Sequence, residues 1–425
     1  MTILIFTGVL LGLMVFGMPI AFALMLSGIA LMMHLGYFNA QLIAQNMIAG
    51  ADSFPLLAVP LFLLAGELMN AGGISRRIVD LAVSLFGHMR GGLGYVTIGA
   101  ALLLASLSGS AIADTAALAT ILIPMMRGAG YDMNKSTGLI ASGGVIAPII
   151  PPSMSFIIYG VATNVSITKL FMAGIAPGLM MAGALVATWT FVARKGDTPT
   201  IPRQSWSARL RALAGAGWAL MLPVIIIGGL RFGLFTPTEA AVVAAVYALF
   251  VGMFVYRGIK VADLPELFVK AAKTTAVVMF LVAAALVTSY MITLANLPRQ
   301  VIELLGPLVE QPKLLMLMIV VLLTVVGTAM DLTPTILILG PVLAPIARAA
   351  GIDPHYFGVI FVMVGAVGLL TPPVGTVLNV AAGVAKIRLE GVISGAWPYV
   401  VAYTTLILLF ILVPELITVP ASWLY

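Results

Sequence analysis

The sequence predicts an all-α polytopic membrane protein built from two inverted repeats, each with a re-entrant helical hairpin and a helix broken by paired prolines. Three observations predict it. Of the 425 residues, 62% are hydrophobic and only 8% are charged, against about 45–50% and about 25% in an ordinary soluble domain. A proline-interrupted apolar pattern occurs twice at a fixed spacing. Lysine and arginine fall mainly on one side of the crossings that hydropathy marks out.

The duplication is the most specific of the three. Leu122-Ile-Pro-Met-Met-Arg-Gly-Ala-Gly-Tyr-Asp132 matches Leu343-Ala-Pro-Ile-Ala-Arg-Ala-Ala-Gly-Ile-Asp353. The match runs on without a gap, Pro151-Pro152 onto Pro372-Pro373, Gly174 onto Gly395 and Pro177 onto Pro398, at an offset of 221 (345 − 124 and 398 − 177). Upstream, Gly109-Ser110 corresponds to Gly327-Thr328 at 218 (327 − 109) and Asp114 to Asp331 at 217 (331 − 114), so a few residues were inserted or lost there. A duplicated pair of interrupted apolar segments is the best sequence pointer to the binding site of a secondary transporter.

In order along the chain, full crossings are expected at about 3–33, 55–71, 137–164, 170–193, 215–231, 236–256, 274–296, 358–385 and 391–419, each near or above the ~17–25 residues that span a bilayer core. No basic stretch precedes the first, so it reads as a retained helix rather than a leader, and Gly17-Met18-Pro19 is placed to kink or divide it. Between 92 and 127, and again between 314 and 349, the apolar runs on either side of Gly109-Ser110 and Gly327-Thr328 are roughly 13–16 residues long, short of a crossing. Re-entrant hairpins fit better. Their polar tips would end inside the membrane, which is tolerated only where protein or a wet cavity surrounds them. The expected units are N-terminal scaffold helices (1–91), repeat 1 with its hairpin and broken helix (92–193), a central cytoplasmic loop with further scaffold helices (194–313), and repeat 2 with its hairpin, broken helix and C-terminal helix (314–425).

Basic residues set the orientation. The longest polar loop carries Arg194, Lys195, Arg203, Arg209 and Arg211, which places it in the cytoplasm. Alternating from there puts 16 of the 21 Lys and Arg on that side, with Lys169, Arg231, Arg299, Lys313 and Arg348 outside. Five expected crossings separate the hairpins. The repeats are therefore inverted, and their tips meet near mid-membrane from opposite faces, as alternating access requires.

Composition excludes several functions. There is no cysteine, and His34, His88 and His355 are far apart, so no metal cluster is expected. No nucleophile–base set or phosphate loop appears, so the chain does not read as an enzyme. No basic stripe interleaved with aromatics suggests nucleic acid. The 24 methionines read as adaptable packing.

The chemistry concentrates at the tips and the breaks. Ser106, Ser108, Gly109 and Ser110 form the first tip; Gly327, Thr328, Asp331, Thr333 and Thr335 form the second. Hydroxyls and freed carbonyls suit a hard alkali cation, whereas small polar residues also serve close helix packing. Pro148, Pro151 and Pro152 with Ser153 and Ser155 interrupt one helix; Thr371, Pro372, Pro373, Gly375 and Thr376 interrupt the other. Consecutive prolines remove N–H donors and free carbonyls, which need a bound cation or neighbouring groups as partners. Asn379 lies within its segment and Asn164 near the end of its own. Asp114 and Asp331 sit at membrane depth, at a cost of about 2.5–3.5 kcal/mol each. Cation ligand, proton carrier and helix cap are all open to them. Glu239, after Thr236-Pro-Thr238, reads as a cap; Glu67 faces either a partner or the core.

At these residues a resemblance becomes specific. Gly72-Gly73, Ser108-Gly-Ser-Ala-Ile-Ala-Asp-Thr115, Ala147-Pro-Ile-Ile-Pro-Pro-Ser153, Leu170-Phe-Met-Ala-Gly-Ile-Ala-Pro-Gly178, Phe235-Thr-Pro-Thr-Glu-Ala240, Met330-Asp-Leu-Thr-Pro334 and Gly368-Leu-Leu-Thr-Pro-Pro-Val-Gly375 resemble the large membrane subunit of a tripartite ATP-independent periplasmic (TRAP) transporter, nearly end to end. The likeness is to the branch associated with sugar acids such as diketogulonate. It implies a multi-pass protein of the bacterial inner membrane, an elevator-type architecture, sodium as coupling ion and no other cofactor. The implied partners are a small four-helix membrane subunit, supplied as a separate chain, and a soluble periplasmic substrate-binding protein. Carried over residue by residue, it implies cation sites at Ser106, Ser108, Gly109, Ser110 and Pro151 on one side, and at Gly327, Thr328, Thr371 and Gly375 on the other. A carboxylate substrate, a sugar acid or C4-dicarboxylate, is expected at Asp114, Ser153, Asp331, Thr376 and Asn379, near half-helix N-termini whose dipoles favour anions. A stand-alone sodium- or proton-coupled carboxylate symporter is the rival; a non-transporting scaffold would leave the duplicated tips unexplained.

Overall fold

The computed structural model describes residues 2–194, 200 and 202–424. Lys195, counted above in the cytoplasmic loop, lies outside the described residues. The described residues form helices joined by turns and loops, with no strand among them. Nine of their helices are long and apolar enough to cross a membrane.

They are not the same nine that hydropathy marks out. The apolar stretch 3–33 is two helices, Thr2–Val15 and Ile20–His34, packed on each other. Gly17 takes φ +80° between them, and Pro19 offers no N–H to continue the first helix. The hairpin helices are longer than the apolar runs that suggested them: Gly92–Ser108 and Ala111–Gly128 form hairpin 1, Pro312–Ala329 and Leu332–Ala349 form hairpin 2. Polar and small residues at their outer ends, such as Lys313 and Arg348, continue the helices beyond the apolar core. Length alone therefore does not make them re-entrant. Only Gly109-Ser110 and Met330-Asp331 separate the paired helices, which forces the chain straight back into a hairpin.

Each hairpin is followed by a broken helix. Met133–Gly144 and Met154–Thr163 flank the first break, Pro354–Gly368 and Thr376–Ala385 the second. The duplicated motif between hairpin and broken helix has a local reason. Gly130 and Gly351 both adopt left-handed backbone, φ +81° and +74°, which costs glycine little. Two residues on, Asp132 accepts from Asn134 N at 2.9 Å and Asp353 accepts from His355 N and Tyr356 N at 2.9 and 2.8 Å. Each aspartate caps the helix it precedes.

The repeats are woven rather than stacked. Ala111–Gly128 of hairpin 1 packs on Thr376–Ala385 of the other repeat, and Leu332–Ala349 of hairpin 2 packs on Met154–Thr163. Around them, the long helix Leu264–Leu294 packs against Ile20–His34, Ala40–Ala51 and Ala58–Ala71. Glu67, undecided from sequence, faces this helix and pairs with Lys270 at 2.6 Å. Glu239 closes a capping box with Thr236, as its position suggests.

Glycine permits the closest helix approach. A Cβ on Gly395 would lie 2.0 Å from Asn134 O, and one on Gly138 2.3 Å from Gly395 C. Both obstacles are backbone and cannot step aside. Gly183, in contrast, has nothing within 4 Å. Gly395→Ala is expected to cost about 1–3 kcal/mol by overpacking and to lower the thermal midpoint of the purified protein. Gly183→Ala is expected to leave that midpoint unchanged or raise it, and equal midpoints for the two variants would refute this contact.

Candidate functional site

The tip of hairpin 1 is built by its own side chains. Gly109 ends the first helix in left-handed backbone, φ +63°. Ser110 then caps the second, its Oγ accepting from Ala113 N at 3.4 Å. Ser108 Oγ accepts from Ser110 N at 3.2 Å and donates to Asp114 Oδ1 in a short hydrogen bond. Asp114 is buried, and its Oδ2 has no partner. Its carboxylate thus staples the inside of the turn. Thr115 beside it is fully buried, with its hydroxyl also unpartnered. Ser106 donates to Leu103 O at 2.7 Å, leaving its lone pairs free.

This tip is lodged in the break of its own repeat. A Cβ on Gly109 would lie 2.7 Å from Pro152 O and 3.0 Å from Ser153 Cα. The break is closed by Ser153, which is fully buried, donates to Pro148 O and accepts from Phe156 N at 3.2 Å. The helix Met154–Thr163 therefore starts beside the tip with a capped N-terminus.

Hairpin 2 repeats the plan with different groups. Asp331 caps Leu332–Ala349, accepting from Leu332 N at 2.7 Å. Gly327 meets Gly368 backbone to backbone; a Cβ on Gly368 would lie 2.8 Å from Gly327 Cα. Thr328 O accepts from Val374 N at 3.2 Å, tying tip to break. Thr328 Oγ1 donates back to Val325 O and Thr371 Oγ1 to Val367 O. Gly375, φ +52°, opens the helix Thr376–Ala385. Asn379 donates to Val374 O, and Thr376 Oγ1 is unpartnered. The two breaks differ in cover: Pro151-Pro152-Ser153 is buried, whereas Pro372, Pro373 and Val374 are exposed.

The two tips meet. A cavity of ≈ 50 Å³ is lined by Gly109, Ser110, Pro148, Ser155, Asp331 and Thr333 among others. One water needs about 10–15 Å³ of such space, so this cavity is sized for ions and a few waters. Two cavities of ≈ 580 Å³ flank it, within the about 300–1,000 Å³ typical of small-molecule sites. One, beside hairpin 1, is lined by Glu67, Asn70, Ser75, Arg76, Thr120 and Lys270. The other, beside hairpin 2, is mostly apolar and includes Phe22, Phe280, Asp331 and Thr333.

Of the residues singled out from sequence, Gly109, Ser110, Pro148, Ser155, Asp331 and Thr333 share the small cavity. Ser106, Ser108 and Asp114 brace hairpin 1 behind it, and Pro151 and Ser153 form the break against which it rests. Gly327, Thr328, Thr371, Gly375, Thr376 and Asn379 cluster around the second break and do not line that cavity. Sequence reasoning did not find Arg76 and Lys270 as cavity residues. Their only signal was that they are basic and lie at the ends of apolar segments, which loop residues share.

Comparison with known proteins agrees with this architecture. Residues 7–416 match the family model described as "Tripartite ATP-independent periplasmic transporter, DctM component". The chain is 55% identical over 424 residues to the 2,3-diketo-L-gulonate TRAP transporter large permease protein of Escherichia coli strain K12, covering 100% of both chains. It is 39% identical over 405 residues to the sialic acid TRAP transporter large permease protein of Vibrio cholerae, covering 95% of both. Among solved structures, the Alcanivorax borkumensis YdaH transporter superposes with a TM-score of 0.61 at 15% identity, covering 90% of this chain and 87% of that one; that likeness is one of fold.

Gly109→Ala tests the lodged tip. It combines left-handed strain of about 1–2 kcal/mol with a clash against Pro152 O. Gly351, φ +74° with nothing within 4 Å, carries the strain alone. Gly109→Ala is expected to lower the thermal midpoint more than Gly351→Ala and to raise hydrogen exchange across residues 105–113. The same loss in both variants would mean the tip does not rest in the break.

Proposed function

The chain belongs to the DctM family of tripartite ATP-independent periplasmic transporters, and from that membership we propose that it imports a carboxylate, coupled to sodium, by an elevator movement. It is a TRAP large permease, a multi-pass protein of the bacterial inner membrane, and not an enzyme. The proposed substrate is a sugar acid, in keeping with the diketogulonate permease to which it is 55% identical. Its proposed partners are a small TRAP membrane subunit and a periplasmic binding protein that delivers the substrate.

The observation that carries this reading is the small cavity shared by both tips. Its lining residues offer oxygens: the Ser110, Ser155 and Thr333 hydroxyls and the Asp331 carboxylate. Hard cations take oxygen ligands of this kind, and the space suits an ion but not a sugar acid. Sodium bound there would tie tip to tip. The substrate would then lie in a flanking cavity. The one bearing Arg76 and Lys270 suits an anion better than the apolar one. Arg76 makes no hydrogen bond or ion pair among the described residues, while Lys270 is already held by Glu67. In this account the hairpins and broken helices (within 92–193 and 314–425) move as the transport domain. The helices within 1–91 and 194–313 form the scaffold. Coupling requires sodium to favour the loaded state; equal affinity for both states would shift nothing.

One observation favours a second reading. Asp114 is buried with an unpartnered oxygen, the kind of group that carries a proton. Uptake driven by a pH gradient without sodium would select it.

Uptake of radiolabelled diketogulonate into proteoliposomes with the small subunit and binding protein is the test. Flux is expected only with a sodium gradient and the binding protein; flux without the binding protein would select the stand-alone symporter. Ser110→Val is expected to weaken sodium activation, and unchanged activation would remove Ser110 from the ion site. Arg76→Gln is expected to raise the half-saturating substrate concentration about tenfold, the loss of one charge-assisted hydrogen bond of about 1.5 kcal/mol. An unchanged value would place the anion elsewhere.

A further inference from the structure

The duplicated motif contains one pair that neither turn nor cap explains: Arg127 and Arg348, at the common offset of 221 (348 − 127). Each lies in the last turn of the second helix of its hairpin. Neither meets a carboxylate among the described residues. Instead, each reaches across to the other repeat. Arg127 Nη2 donates to Ala385 O, 258 residues away, and Arg348 Nη2 donates to Thr163 O at 2.8 Å, 185 residues away.

Both acceptors are the last residues of the inner half-helices, Thr376–Ala385 and Met154–Thr163. Both half-helices end in the same way, with Lys386 and Asn164 in left-handed backbone at φ +54° and +55°. The last carbonyls of a helix lack internal partners, and a cation there also complements the negative end of the dipole. Lys386 N and Asn164 N satisfy Ala382 O and Gly160 O. The arginines take the carbonyls that remain at the very end.

The opposite ends of these half-helices border the tips. Half-helix 154–163 begins against Gly109 of hairpin 1. Half-helix 376–385 follows Val374, whose N–H is held by Thr328 of hairpin 2. The contacts therefore close on themselves. Tip 1 rests on the first half-helix, whose far end is held by hairpin 2 through Arg348. Tip 2 rests on the second, whose far end is held by hairpin 1 through Arg127. We infer that Arg127 and Arg348 are reciprocal positioning residues that close this ring, so that ordering either tip orders the other. Because coupling between sites is reciprocal, a cation bound in the shared cavity then strengthens binding of a second cation at Thr328 and Thr371, the other site expected from the sequence, without touching it. The ion-coupled part of this inference rests on the transport reading above.

A ring has a signature that a set of independent supports lacks: one cut opens it, and a second adds little. The test uses the full chain in lipid nanodiscs and follows amide hydrogen exchange at residues 105–110 and 326–331. Arg127→Gln and Arg348→Gln are each expected to raise exchange severalfold at both tips, and the double variant no further than either single. Arg127→Lys and Arg348→Lys, which keep the charge but not the planar fork, are expected to give the same pattern at smaller size, and they decide the matter if the glutamine variants fail to fold. Loosening confined to the hairpin that carries the substitution, or effects that add in the double variant, would overturn the ring. In proteoliposomes, the Hill coefficient for sodium-dependent uptake is expected to fall towards one in either single variant. A coefficient unchanged from a cooperative wild type would overturn the coupling. Wild-type uptake indifferent to sodium would instead sink the transport reading, leaving the exchange pattern to decide the ring.

Discussion

Helices that stop inside a membrane must satisfy their ends without water, and this one constraint organises the molecule. Each unpaired backbone group in hydrocarbon costs several kcal/mol. The chain has two hairpin turns and two proline breaks, so several sets of helix ends compete for partners. They are satisfied by one another. Ser110, Ser153 and Asp331 cap the helices they precede. Thr328 O takes Val374 N across the second tip and break. Glycines at 109, 327 and 368 bring backbones close enough for the tips to seat. The polar centre that results is not an added feature of the fold. It is where the interrupted ends were obliged to gather, and it leaves oxygen donors around a space of ionic size.

Much of this was legible in the sequence because it is local or repeated. The constant offset exposed the repeats, and paired prolines located both breaks, since proline removes a donor wherever it stands. Ser110, Asp331 and Glu239 act at helix starts, where short polar side chains are expected. What stayed hidden depends on distance in three dimensions. Nothing near Arg127 or Arg348 names their acceptors, which lie in the other repeat. Glu67 and Lys270 are about two hundred residues apart and meet only because two scaffold helices pack. Hydropathy read 3–33 as one apolar block, but Gly17-Met18-Pro19 marked in the sequence where it divides, as it does. Hydropathy also shortened the hairpin helices, because polar residues such as Arg348 end an apolar run but not a helix.

The two halves are alike in sequence and unlike in surroundings. The first break is buried and the second is exposed. The cavity beside hairpin 1 carries Arg76, Lys270 and Glu67, while the one beside hairpin 2 is mostly apolar. In the proposed transport cycle, exchange of these two environments would be the conformational change that alternating access requires. Because each hairpin packs on the half-helix of the other repeat, such an exchange would move both hairpins together.

Sodium in the cavity that both tips line would bind the folded chain. A ligand that binds only the folded state stabilises it by RT ln(1 + [L]/Kd). The direct measurement is therefore the thermal midpoint of the purified chain as sodium replaces potassium at constant ionic strength. The midpoint is expected to climb steadily with the logarithm of sodium concentration, and to climb less in Ser110→Val. Identical midpoints in sodium and potassium across the whole range would contradict sodium binding at the tips.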